Sequence, residues 1–174
     1  MEHDHSKIAG LISIVSTGTQ NYLQTTHGIA CSNPALLDGD FDALAPIKGI
    51  TAIVGMGGPI SMLVAVSFEQ ELLNHLFVRE TEGLDIPEAE RDTYVREMAA
   101  EIVNIILGNC TADLEESVKD GQNKTKISMS PPVVILDVDR IHRSQSAAFT
   151  SVSLKTMFGR FAISIVGPRE LISE

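Results

Sequence analysis

The sequence predicts an α+β fold: an internally duplicated helix plus three strands, with long helices packed on a largely antiparallel sheet. Three observations carry this. Apolar side chains recur at helical spacing in two long stretches, 6–26 and 88–118. β-Branched runs come in pairs around glycine turns, at 49–67 and 147–167, so strands follow one another instead of alternating with helices. The order of helix, short strand and hairpin also occurs twice, and IACSNPALL (29–37) and ISMSPPVVI (127–135) share I-x-x-S-x-P-x-x-[L/I]. One domain over 1–174 is expected, with half-repeats of about 6–67 and 88–167 joined by a helix at 68–80.

The elements follow in order. Ile8, Leu11, Ile12, Val15, Tyr22 and Leu23 give the first helix its apolar face, with Ser6 as N-cap and Gly28 as stop. GIACSNPALL is a short extended segment around a proline, and DGDFDALAP is a loop. GITAIVGMGGPISMLVAVS (49–67) is a hairpin turning at Gly57–Gly58. FEQELLNHLFVR is a helix and TEGLDIP a linker, whose Pro87 suits the first turn of the long helix 88–118. KDGQNKTK is a polar turn. KISMSPPVVI is extended and broken by Pro131 and Pro132, and LDVDRIHRSQS is a loop. A second hairpin covers 147–167, with its turn near Gly159.

Composition narrows the function. A net charge of −10 and a pI of about 4.9 argue against a nucleic-acid surface and against docking on anionic lipid. The acidic, polar start MEHDHSK is no signal peptide, and no uncharged apolar run is long enough to span a bilayer. A cytoplasmic protein is expected. Cys31 and Cys110 lack any ligand or redox spacing and read as small buried hydrophobes.

The long helix holds the chemistry. On a wheel at about 100° per residue, Glu97, Glu101, Asn104, Gly108, Thr111 and Glu115 fall within about 80° of arc, opposite a broad apolar sector. Glu101, Asn104 and Gly108 occupy adjacent turns of that face. A solvated face accounts for much of this. Gly108, however, sits where glycine costs about 1 kcal/mol against alanine, and it leaves a flat notch beside Asn104. A second Glu-x-x-Asn, Glu71 and Asn74, is read as coincidence.

MAAEIVNIILGNCTADL followed by KISMSPPVVI resembles the chemotaxis phosphatases of the CheX/CheC/FliY group. The likeness rests on Glu101, Asn104, Gly108–Asn109 and Ser128 to Pro132, and the order of elements agrees over roughly 6–167. It implies hydrolysis of the phosphoaspartate of a CheY-like response regulator. Asn104 would orient the attacking water, and Glu101 would dock against the partner's lysine. Glu97, Gly108 and Asn109 would contact the partner. The first helix has Gly10 and Ser13 where the second has Glu101 and Asn104, so the likeness is closest to CheX, with one working face per chain. CheX-like chains usually pair, which with the exposed hairpin edges implies a homodimer. No cofactor of its own is implied; Mg2+ belongs to the partner.

The rival reading is a non-catalytic adaptor of the same fold, binding a response regulator or a flagellar-switch protein. Weaker signals fall away. DGDFD at 38–42 lacks the glycine and glutamate of a calcium loop, and GMGGP lacks a phosphate-loop ending. His3-Asp4-His5 reads as a disordered terminus, and Arg140, His142 and Arg143 read as a solvated basic loop.

Overall fold

The computed structural model describes residues 4–37, 49–58, 61–118, 126–136 and 147–168. The chain runs α1 (Asp4–His27), β1 (Ala35–Leu36), β2 (Gly49–Gly57), β3 (Met62–Glu69), α2 (Gln70–Glu80), a 3₁₀ turn (Glu88–Glu90), α3 (Arg91–Ser117), β4 (Ser128–Met129), β5 (Val133–Leu136), β6 (Ala147–Thr156) and β7 (Gly159–Pro168). Seven strands form one antiparallel sheet in the order β1-β6-β7-β3-β2-β4, with β5 also on β2. The α+β reading holds.

Period-two alternation builds the core. Ile50, Ala52, Val54 and Met56 of β2, Met62, Val64, Val66 and Phe68 of β3, and Phe161, Ile163 and Ile165 of β7 join one buried cluster with the helices. Leu11, Val15 and Leu23 come from α1, Leu72 and Leu76 from α2, and Val103, Ile106 and Leu107 from α3. Each of these side chains larger than alanine contributes about 1.5–3 kcal/mol by leaving water. On the alternate positions each hairpin buries a hydroxyl pair across its strands. Thr51 Oγ1 and Ser67 Oγ are 2.7 Å apart, and Ser151 Oγ and Ser164 Oγ are 2.8 Å apart. Burial without such a partner costs about 1–3 kcal/mol per group, so the pairing is what permits it.

The two halves exchange parts. β1 pairs with β6, while β4 and β5 pair with β2. Likewise α1 packs over β6 and β7, and α3 over β2 and β5. The central join is β3 against β7, from Leu63↔Val166 to Phe68↔Phe161.

Several boundaries move. α1 begins at Asp4, two residues before Ser6, so Ser6 is no cap and Asp4 and His5 are helical rather than disordered. Gly28 does end it: φ is +67°, and its N–H and that of Ile29 donate to Gln24 O and Leu23 O at 3.1 and 3.0 Å. That is the reciprocal pairing of a glycine-terminated helix. β3 runs on to Glu69 and delays α2 to Gln70, because fully buried Phe68 pairs with both Ile50 and Phe161. β2 continues through Gly57, so Gly57 belongs to the strand and not to the turn. The prolines split the late extended segment into β4 and β5, since neither Pro131 nor Pro132 has an N–H for the ladder. The segments 38–42 and 140–143 lie outside the described residues.

Candidate functional site

α3 is anchored by Val95, Ala99, Ile102, Val103, Ile106, Leu107, Cys110 and Leu114, all buried. The opposite side presents Glu97, Glu101, Asn104 and Gly108 to solvent, with Thr111 and Glu115 half-buried. The structure thus brings four of the five sequence-derived residues onto one line. Asn109 is not on it. Five residues past Asn104 is about 140° around the helix. Asn109 there lines a groove of about 450 Å³ between α1 and α3, with Ser13, Thr17, Asn21 and Asp113.

Among the described residues, neither the Glu101 carboxylate nor the Asn104 amide has a hydrogen-bond partner. The look-alike pair in α2 differs. Asn74 Oδ1 accepts from Gln70 Nε2 and Arg91 Nη2, both at 3.2 Å, so that amide is committed to joining α2 to α3. Identical spacing yields one tied amide and one free amide. Gly108 has open space: a Cβ there would meet nothing within 4 Å. Packing within the chain does not demand glycine at this position.

The Ser-Pro segment after α3 is held to both layers. Ile127 N–H donates to Glu115 Oε1 at 2.9 Å, tying the segment to the helix. Ser130 N–H donates to Gly55 O at 2.8 Å, and Gly55 N–H donates to Ser130 Oγ at 2.9 Å. Ser130 thereby extends the pairing across a stretch where the prolines interrupt it.

Sequence reasoning missed what flanks the face. A cavity of about 330 Å³ opens beside Glu97 and Glu101, between α3 and α2, walled by Tyr22, Phe77, Tyr94 and Met98. Tyr94 was legible as an aromatic residue three positions before Glu97, but Tyr22 and Phe77 come from other helices. Burial, then the Glu80 and Glu101 carboxylates, push the Tyr22 phenol up. Burial lowers His27, whose Nε2 lies 3.5 Å from Glu80, and raises the Cys31 thiol. Burial and Asp113 push Cys110 up to about 11. Among the described residues no three His, Cys, Asp or Glu side chains could hold a metal ion. No helix there is long and apolar enough to cross a membrane.

A model of the family described as "Chemotaxis phosphatase CheX" matches residues 50–154. No curated protein has a sequence that matches the chain. Among solved structures, the chemotaxis protein CheX from Desulfovibrio desulfuricans aligns with a TM-score of 0.68 at 22% identity, over 88% of this chain and 95% of that one. The CheX of a CheX–CheY–BeF3–Mg2+ complex from Borrelia burgdorferi aligns at 0.65 and 17%, over 90% and 96%. FliY from Thermotoga maritima aligns at 0.62 and 12%, over 99% and 93%. At these identities the likeness establishes the fold.

Proposed function

The chain belongs to the chemotaxis phosphatase CheX family, and from that premise we propose that it hydrolyses the phosphoaspartate of a CheY-like response regulator in the cytoplasm. The observation that carries the reading is the exposed Glu101–Asn104 pair, neither member hydrogen-bonded among the described residues, where the amide of identical spacing in α2, Asn74, is tied. A Borrelia relative that occurs in a complex with CheY, BeF3 and Mg2+ supports the choice of partner.

An aspartyl phosphate is an activated acyl phosphate, so its hydrolysis mainly requires a water in line with the leaving carboxylate oxygen. Positioning governs such a step. The Asn104 carbonyl oxygen accepts a hydrogen bond from that water, and its NH2 donates to a phosphoryl oxygen. Glu101, one turn earlier, pairs with the partner's lysine and keeps Asn104 in register. Glu97 extends the contact, and Gly108 lets the partner's backbone approach. Asn109, around the helix, lines the α1 groove. Mg2+ stays with the partner.

A response regulator charged with a small phosphodonor, with phosphate release followed in the presence and absence of this protein, tests the reading. Release should rise with the wild type. Equal release with and without it would leave an adaptor of the same fold. The pairing of two chains is a separate proposal, read out by size-exclusion chromatography with light scattering.

A further inference from the structure

The cavity between α2 and α3 is apolar in its walls and anionic in its polar groups. Phe77, Tyr94 and Met98 line it, and Leu84 and Tyr94 are 63% and 41% exposed. Glu80, Glu97 and Glu101 line it as well, and among the described residues no Lys, Arg or His does. A further polar group belongs to it. Tyr22 is 9% exposed and lines the cavity, and among the described residues its hydroxyl has no hydrogen-bond partner. That oxygen can accept a hydrogen bond from an arriving donor.

We propose that this cavity receives a long basic side chain, arginine or lysine, from the partner's surface next to its phosphorylated carboxylate. The proposal rests on the docking face described above. It adds a second basic contact, distinct from the lysine that meets Glu101. The aliphatic stem packs on Tyr94 and Met98 while the cationic head meets Glu97 and the Tyr22 oxygen. A neutral apolar side chain would fill the walls and leave the carboxylates facing it; an acidic one would be repelled. The same chemistry already occurs at the wall, where the Arg91 guanidinium lies over the Phe77 ring at 5.1 Å.

The chain's 2 tyrosines both line the cavity. Protein labelled with 3-fluorotyrosine therefore carries two fluorine signals, both at the site. Titration with n-butylguanidinium should move both signals saturably. n-Butylurea, its neutral near-isostere, should bind about tenfold more weakly, and Glu97→Gln should remove most of that preference. Equal binding of the two compounds, or no saturable shift, overturns the proposal. A response regulator held in its charged form by beryllofluoride should shift the same two signals, in competition with n-butylguanidinium. Docking that leaves both signals unmoved overturns it too. None of these arms reads phosphate release, so a protein that docks without turning over its partner contradicts the catalytic reading alone.

Discussion

Gly18 of α1 lies directly against the sulfur of Cys110 in α3, with no room between them for a Cβ. The close approach of the two long helices depends on it, and Cys110 is itself only 3% exposed. Gly18→Ala should therefore destabilise the protein even though alanine is the better helix former. Overpacking of about 1–3 kcal/mol outweighs a propensity gain of about 1 kcal/mol. Thermal unfolding should show a Tm lower by several degrees, and adding Cys110→Ala should recover most of the loss. Additive single effects would mean that the contact carries no energy.

Gly108 makes the opposite case. A Cβ there would meet nothing within 4 Å, so Gly108→Ala should raise the stability of α3 by up to about 1 kcal/mol, or roughly 2–4 °C in Tm. Gly108→Gln should also leave the fold intact while weakening binding of a beryllofluoride-charged regulator about tenfold. A longer side chain that left binding unchanged would remove the contact notch from the proposed face.

Asn104 and Glu101 should separate in kinetics. Asn104→Ala is expected to keep regulator binding and lose about a hundredfold in phosphate release, about 2.7 kcal/mol of barrier. Glu101→Ala should lose binding as well. The amide does not titrate, so release should vary little with pH between about 6 and 8. A bell-shaped profile that vanished in Asn104→Ala would contradict the role given to the amide.

His27 should make stability depend on pH. It is 3% exposed, its ring packs edge-on against Tyr22, and burial holds its pKa below the usual 6.5 despite the pull of Glu80. Between the lowered value and 6.5 the unfolded chain binds the proton and the folded chain does not. The stability from a neutral His27 is thus fully present above about 6.5 and declines as pH falls through that window. Tm measured at pH 7.5 and 5.5 should drop, and His27→Gln should shrink the difference. An undiminished drop in the variant would assign it to other groups.

How far the sequence could be read depended on the range of the forces involved. Helical periodicity located α3 to within a few residues, and the exposed line from Glu97 to Gly108 followed from the same geometry. Gly28 was readable as a stop because the left-handed turn it makes is local. The end of β3 was not, because Phe68 is held in strand by Ile50 and Phe161, the second far away in sequence. Asn109 came with Gly108 from the resemblance, and a single step, which turns a helix by about 100°, puts it on the α1 side of α3. The cavity was out of reach for the same reason as Phe68: its aromatic walls come from three helices.

The exchange of edge strands has a consequence for how this molecule can be divided. Severing the backbone within 81–87 would give two fragments. The first would keep β2 without β4 and β5, and the second would keep β6 without β1. The first would part α1 from β6 and β7, and the second would part α3 from β2. Such pieces are unfinished apart and complementary together, so the smallest unit that folds is the interlocked whole, and co-expressed fragments should reassemble where either one alone would aggregate.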